Sequence, residues 1–269
     1  MSRRINLNAD LGESFGIWEM GSDAELLTIV GAANIACGFH AGDPLVMRRT
    51  VRQALAAGVS LGAHPSFPDL QGFGRRPMQL PTAELEAMLI YQIGALSGLA
   101  RAEGGRLTHV KPHGALNNMA CQDAALASSV VAAIHSLDPA LILLAPALSK
   151  LALAGEAAGL RVAAEIFADR AYGDDGNLVP RSQVGSVLHS ADECVAHVRR
   201  MVDGGGIVTL GGQLIRTDFH SICVHGDGAE AVAAASAIHA SLRASGVSLL
   251  PLPGVLREAA DSDVSPSML

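Results

Sequence analysis

Short apolar segments alternate with helical patterns along the whole chain, and this alternation limits the fold more than any other feature. The apolar segments span residues 5–11, 33–39, 60–64, 107–113, 141–145, 161–167, 221–225 and 247–252. Between them, Thr82 begins a long Leu/Ala-rich helix that ends near Gly104. Ser22 and Ser190 each stand three residues before a glutamate, which is the spacing of a capping box, and Asp43 precedes a proline as a helix cap does. Such alternation predicts a parallel sheet with helical crossovers.

The predicted strands have one apolar and one polar face, which favours a barrel over an open sheet. Side chains alternate along a strand, so Asn6, Asn8 and Asp10 share one face of the first strand. His109 and Lys111 share one face of the fourth in the same way. A strand between two helix layers would be apolar on both faces. We therefore predict an α/β fold, a single (β/α) TIM-like barrel with helices outside and a functional lumen.

The composition indicates how many domains the chain forms and which classes of partner it can bind. No linker divides the 269 residues, so we expect one barrel domain over residues 1–255 and a flexible, polar C-terminal tail over residues 256–269. A net charge of −7 and 3% aromatic residues argue against nucleic acid as a partner. No apolar run reaches the ~20 residues of a membrane helix. The four cysteines form no CxxC pair, which is typical of the cytoplasm.

Charged residues cluster at the C-terminal ends of the predicted strands, where (β/α) barrels carry catalytic groups. Asp10 and Glu13 end the first strand, and Glu165 lies on the polar face of a later one. These carboxylates are candidates for proton transfer or for metal binding. In the alternative interpretation, Asp10 caps a turn and Glu13 is a solvated surface residue.

Lys111 is a candidate catalytic residue because lysine is rare in this chain. Only Lys111 and Lys150 are present, against 17 arginines. A lysine on the lumen face suggests chemistry that a guanidinium cannot perform, either orienting a carboxylate or acting as a base through a lowered pKa. The alternative is a lumen salt bridge to Asp10 or Glu165.

Histidines and further charged residues complete the candidate site. His113 follows Lys111 by two residues and is a catalytic candidate. A polar loop over residues 171–185 has the length of a lid or ligand clamp, and its Arg181 could bind a substrate carboxylate in bidentate fashion. The substrate-binding candidates are His40, His64, Asp169, Arg170, Arg181, His225 and Asp227. For His40 a structural role, and for Asp227 a helix-capping role, are the alternatives.

Eight sequence runs together resemble the LamB/YcsF family. They are LNADLGE, NIACGFHAGD, GAHPSFPD, FGRR, HVKPHGALNN, EIFADRAY, GNLVPRSQ and CVHGDG, within residues 5–252. Asn117 departs from the family pattern, because tyrosine is usual there. The resemblance implies a (β/α) barrel, often seven-stranded, similar to glycoside hydrolase and polysaccharide deacetylase barrels.

The resemblance also implies an activity and partners. It implies a hydrolase that opens 5-oxo-L-proline to L-glutamate with ATP as co-substrate, Mg²⁺ accompanying the nucleotide, and 5-oxoprolinase subunits B and C as partners. A homo-oligomer is compatible with it. Since no Walker motif is present, nucleotide contacts here would be unconventional or shared with the partners.

Two other functions compete with this one. The first is a metal-dependent, deacetylase-like hydrolase with Asp10, His40, His64 and His113 as candidate ligands. The second is a non-catalytic subunit that only binds 5-oxoproline for its partners.

Overall fold

The computed structural model describes residues 3–224 and 230–256. Its strands are β1 (Arg4–Leu11), β2 (Ala32–Ala36), β3 (Ser60–His64), β4 (Leu107–Val110), β5 (Ile142–Pro146), β6 (Val162–Phe167), β7 (Gly206–Val208), β8 (Leu214–Arg216), β9 (Ser221–Val224) and β10 (Ser248–Leu249). Its helices are α1 (Asp23–Leu26), α2 (Pro44–Ala56), α3 (Thr82–Ala102), α4 (Gly114–Ala120), α5 (Ala124–Leu137), α6 (Lys150–Ala157), α7 (Ala191–Gly204), α8 (Ala231–Ala244) and α9 (Leu252–Val255).

Seven parallel strands close into a barrel in the order β1-β2-β3-β4-β5-β6-β9, and β9 pairs again with β1. The predicted (β/α) barrel is confirmed, including its seven strands. Two additions lie outside the ring: β10 extends β1 in parallel, and β7 pairs with β8 in an antiparallel hairpin. The helices pack around the ring and bury its apolar outer face.

The first strand shows how the sequence pattern positions the lumen. Its apolar residues Ile5, Leu7, Ala9 and Leu11 are buried in the main hydrophobic core, whereas Asn6, Asn8 and Asp10 are also buried but turn inward. A second, smaller apolar cluster closes the N-terminal end of the barrel and consists of Ala32, Ile142, Leu144, Ala163 and Leu252. The polar side chains at the C-terminal ends of the strands, such as Asp10, Lys111 and His113, line a cavity at the end of the barrel predicted to be the catalytic face.

The predicted helix signals are confirmed except at Ser22. Asp43 caps α2 by accepting hydrogen bonds from the amides of Leu45 and Val46 at 2.8 and 3.2 Å. Ser190 forms the predicted capping box with Glu193. The prediction of a capping box at Ser22 is wrong. The backbone of Ser22 is not extended, and its side chain makes no capping hydrogen bond to the four-residue helix α1.

Strand β4 ends earlier than predicted. The pattern extends it to residue 113, but regular pairing stops at Val110. The amides of Lys111 and His113 still bond to the carbonyls of Ala63 and Pro65, both at 2.9 Å. Pro112 between them has no N–H to continue the ladder. The backbone at Lys111 and His113 is therefore still held by hydrogen bonds to the neighbouring segment, although the regular strand has ended.

Residues 257–269, which make up nearly all of the predicted tail, lie outside the described residues. Within the described ranges, none of the helices combines the length and the apolar character needed to cross a bilayer.

Candidate active site

The lower half of the lumen is filled by a closed hydrogen-bond network, here called the lower lumen network, formed by Asn6, Asn8, Asn34, His109 and Ser221. The Asn34 amide donates to Asn8 Oδ1 at 2.8 Å, and His109 Nε2 lies 2.9 Å from Asn34 Oδ1. Ser221 Oγ lies 2.8 Å from both Asn6 Oδ1 and Asn8 Nδ2. Because these residues come from β1, β2, β4 and β9, the network ties four strands together.

Lys111 lies above this network, 3% exposed, at the centre of the lumen charges. Its Nζ lies 3.0 Å from Asp10 Oδ1, 3.1 Å from Glu165 Oε1 and 3.2 Å from Asn8 Oδ1. Burial alone would lower the pKa of Lys111, but the two carboxylates hold it well above its usual value. This direction argues against the hypothesis that Lys111 lowers its own pKa to act as a base. The alternative of a lumen salt bridge is confirmed.

Glu165 is fully buried beneath Lys111. One carboxylate oxygen accepts from Asn8 Nδ2 at 2.8 Å, and the other has no hydrogen-bond partner among the described residues. Burial raises the pKa of Glu165, and the Lys111 ammonium opposes this. Since Glu165 does not line the cavity above, it can act on a ligand only through Lys111.

Five residues converge above Lys111 and are here called the upper lumen cluster: Asp10, Glu13, His40, His64 and His113. His64 Nε2 lies 3.2 Å from Asp10 Oδ2 and 2.9 Å from His113 Nδ1. Glu13 Oε1 lies 3.1 Å from His40 Nε2 and 3.6 Å from His113 Nδ1. The structure thus brings together side chains that end β1, β2, β3 and β4.

Burial, reinforced by the neighbouring histidines, lowers the pKa of both His40 and His113 well below the usual value. Both imidazoles are therefore neutral near pH 7. Neutral imidazoles can accept a proton or bind a metal.

Ligand atoms of Glu13, His40, His64 and His113 lie within 4.8 Å of one another, close enough to hold one metal ion. The predicted ligand set contained Asp10 in place of Glu13. A carboxylate with several imidazoles is a donor set that zinc and related divalent ions accept. The residues present therefore fit such an ion.

A cavity of about 450 Å³ opens above the cluster. Asp10, Glu13, His64, Lys111 and His113 line its inner end. The predicted loop over residues 171–185 lines the opposite wall with Gly176, Asn177, Leu178, Val179, Pro180 and Arg181. This loop therefore does border the ligand space, as its length suggested.

Two arginines on this side differ in their freedom to bind a ligand. Arg181 is exposed on the cavity wall. Arg170 also lines the cavity, but its guanidinium donates to the carbonyls of Val179 and Ser186 at 2.7 and 3.3 Å. Arg170 therefore holds the loop in place.

Two of the predicted substrate-binding residues that the structure describes, His40 and Asp169, do not line the cavity. His40 is buried within the upper lumen cluster, and Asp169 is half-buried. His225 and Asp227 lie outside the described residues.

Sequence reasoning missed several cavity residues, chiefly Phe73, Arg75, Asn118, Ser149 and Tyr172. Phe73 and Arg75 belong to the Gly-Phe-Gly-Arg-Arg run, whose two glycines were a usable signal for a tight approach to the site. Asn117, which stands where the family usually has tyrosine, also lines the cavity and is buried.

Comparison with known proteins agrees with this geometry. A model of the LamB/YcsF family matches residues 5–257. Relatives named as the A subunit of 5-oxoprolinase include one from Azoarcus sp. that is 65% identical over 250 residues, covering 93% of this chain and 98% of the relative. The crystal structure of a lactam utilization protein from Thermus thermophilus superimposes with a TM-score of 0.86 at 42% identity, covering 92% of this chain and 99% of that one. The catalytic domain of a peptidoglycan N-acetylglucosamine deacetylase from Eubacterium rectale, 10% identical with a TM-score of 0.53 over 96% of this chain and 91% of its own, shares the fold.

Proposed function

This chain belongs to the LamB/YcsF family, and we propose that it is the A subunit of an ATP-dependent 5-oxoprolinase, which opens 5-oxo-L-proline to L-glutamate. The observation that carries the proposal is the cavity of about 450 Å³, which joins carboxylates and imidazoles at its inner end to guanidinium groups on its wall. A small lactam with a carboxylate needs both kinds of group. The names of the relatives support the same reaction.

The substrate carboxylate binds to Arg181, and Arg75 lines the same cavity. A guanidinium binds a carboxylate through two parallel hydrogen bonds, so it also fixes the orientation of the ring. The lactam group then faces Asp10 and the histidines. Arg170 contributes indirectly, because it holds the loop that carries Arg181.

The chemistry requires water to attack the lactam carbonyl carbon, the ring C–N bond to break and the nitrogen to gain a proton. Asp10 is positioned to take the proton from water, because Lys111 stabilises it as a carboxylate at 3.0 Å. Asp10 then returns this proton to the leaving nitrogen, and His113 and Glu13 border the same end of the cavity. Glu165 acts only by holding Lys111.

ATP drives a ring opening that is otherwise slow, because transfer of its γ-phosphoryl group to the lactam oxygen releases ADP and activates the carbonyl carbon toward water. Loss of the ring nitrogen from the water adduct then leaves an acyl phosphate, and a second water releases phosphate and L-glutamate. This chain has no Walker motif. Subunits B and C therefore supply nucleotide contacts, together with Mg²⁺, in this proposal. A cytoplasmic location, where ATP is available, follows from the same reaction.

The experiment measures ATP-dependent glutamate release from 5-oxoproline by the chain alone and with subunits B and C. We expect little or no release from the chain alone and turnover by the assembled enzyme. Asp10→Asn in the assembled enzyme lowers turnover by roughly two to four orders of magnitude, as the loss of a general base does. The matched control is Asp192→Asn, an exposed residue in the first turn of α7.

Robust ATP-dependent turnover by the chain alone contradicts the need for partners. Normal turnover with Asp10→Asn contradicts the catalytic role and instead supports a non-catalytic role in substrate binding. A metal-dependent hydrolase is the second candidate, favoured by the four ligand atoms within 4.8 Å. Amide hydrolysis that needs an added divalent metal and no ATP would identify it.

A further inference from the structure

The hydrogen bonds of the upper lumen cluster determine which imidazole nitrogens carry protons. His64 Nδ1 lies 2.7 Å from the carbonyl oxygen of Lys111. A carbonyl oxygen only accepts hydrogen bonds, so Nδ1 carries the hydrogen. Nε2 is therefore the nitrogen of His64 that can bind a cation, and it faces the cluster.

The same reasoning applies to His113. Its Nε2 donates to the carbonyl oxygen of Phe73 at 2.8 Å, so its Nδ1 presents the lone pair. His64 Nε2 and His113 Nδ1 face each other at 2.9 Å. Asp10 Oδ2 lies 3.2 Å from His64 Nε2, and Glu13 Oε1 lies 3.6 Å from His113 Nδ1. Two imidazole nitrogens and two carboxylate oxygens thus converge on one small volume, where a cation can bind to several of them at once.

The 2.9 Å separation of the two imidazole nitrogens matches that of two atoms bound to a common metal ion. Ligands about 2.0–2.1 Å from zinc stand roughly 2.9 Å apart at a right angle and roughly 3.3 Å apart at the tetrahedral angle. The rings of His64 and His113 are nearly perpendicular, at 84°. Two perpendicular planes meet in a line, so a single ion can lie in the planes of both rings, which is where an imidazole nitrogen binds a metal.

We infer that His64 Nε2, His113 Nδ1 and the Glu13 carboxylate bind one divalent transition-metal cation, with Asp10 beside the site. His40 is excluded as a ligand because its ring stacks on His113 at 3.8 Å with 6° between the planes. An ion in the plane of His113 stands well out of the plane of His40. His40 instead orients Glu13 through Nε2, at 3.1 Å.

A strained turn fixes the tautomer of His113. Phe73 has φ 53°, and only Leu148 shares a positive φ among the non-glycine residues described. This left-handed backbone aims the Phe73 carbonyl at His113. Asp69 holds the turn by accepting from the Gly72 amide at 2.9 Å and from the Arg76 side chain. Asp69 is therefore a positioning residue for a metal ligand.

This inference does not depend on lactam hydrolysis, because metal binding is measured on the full chain without substrate. The metal-free protein is titrated with Zn²⁺ and Co²⁺, and bound metal is counted by elemental analysis. We expect one ion per chain and a Co²⁺ absorption band typical of nitrogen and oxygen ligands. Zn²⁺ binding weakens by about 100-fold or more in each of the variants His113→Gln, His64→Gln and Glu13→Gln. The control is His189→Gln, at an exposed position, which leaves Zn²⁺ binding unchanged.

Two further measurements test the turn and guard against misfolding. Asp69→Asn weakens Zn²⁺ binding by roughly 10–100-fold, as the loss of an outer-shell partner does. Imidazole ¹⁵N spectra of the metal-free wild type show the Nε2–H tautomer of His113, and those of Asp69→Asn show a mixture. The inference is overturned if the wild type binds no stoichiometric ion, if His113→Gln binds as tightly as the wild type, or if the spectra show a proton shared by His64 and His113 that persists when Zn²⁺ is added.

Discussion

The lower lumen network and the upper lumen cluster are both buried, polar and built from the inward faces of the same strands, but they differ in how their polar atoms are matched. In the lower lumen network, acceptors such as Asn34 Oδ1 meet donors such as His109 Nε2. In the upper lumen cluster, His64 Nε2 and His113 Nδ1 meet each other and two carboxylates. Two of the three buried side-chain atoms without a partner in the described chain, on His40 and Ser66, lie at or near this upper cluster.

This difference separates scaffold from site. A buried network with matched donors and acceptors fixes one arrangement of strands. A buried set of acceptors that face one another lowers the stability of the fold unless a ligand or ion binds between them. Such a set therefore indicates a functional site and not a structural one. Lys111 lies between the two and belongs to both, because it contacts Asn8 below and Asp10 above.

The largest effect on stability is expected at Lys111, which lies between the lower lumen network and the upper lumen cluster. Lys111→Met leaves the Asp10 and Glu165 carboxylates buried without their cation, and it lowers the free energy of unfolding by about 3–5 kcal/mol. Urea denaturation measures it. Lys150→Met, at the exposed start of α6, is the control and changes stability by less than about 0.5 kcal/mol. If the two substitutions lowered the free energy of unfolding equally, the ion pairs of Lys111 would not stabilise the lumen.

A smaller effect tests the lower lumen network alone. Asn34→Leu leaves His109 Nε2 without its partner and removes one of the two donors to Asn8 Oδ1, which lowers the free energy of unfolding by about 1–3 kcal/mol. Exposed Asn118→Leu, on α4, is the matched control for stability. Zn²⁺ binding should survive Asn34→Leu in the folded protein. If Asn34→Leu abolished binding without destabilising the fold, the division into scaffold and site would be wrong.

The third effect appears only as the pH falls. Burial and the nearby Lys111 charge lower the pKa of His109 to about 3, against an unfolded value of about 6.5. Between these values the unfolded chain binds a proton that the folded chain refuses, so stability is fully present above about pH 6.5 and falls as the pH falls. One such histidine contributes about 1.4 kcal/mol per pH unit. His109→Gln should make urea-measured stability fall less steeply between pH 6 and pH 4. An unchanged slope would show that His109 is protonated in the folded state.

Much of this arrangement was predictable because strand geometry has a fixed period. The period-two alternation of a strand places Asn6, Asn8 and Asp10 on one face, and in the structure that face is the lumen. The pairing of Lys111 with Asp10 was predictable only as an alternative. The choice between base and salt bridge depends on the local potential, which Glu165 and Asp10 set from strands distant in the sequence.

The sequence by itself determined the barrel, the inward polar faces and the end of the barrel that carries chemistry, because each follows from local periodicity and from chain direction. Only the tertiary structure decided the details of the site. It placed His64 beside His113, 49 residues away, and it turned Arg170 toward the carbonyl of Val179. It also brought the Phe73 carbonyl to His113 and so set the tautomer of that imidazole. Such choices depend on strand register and on turns packed between strands, and no local pattern in the chain encodes which atoms those turns bring into contact.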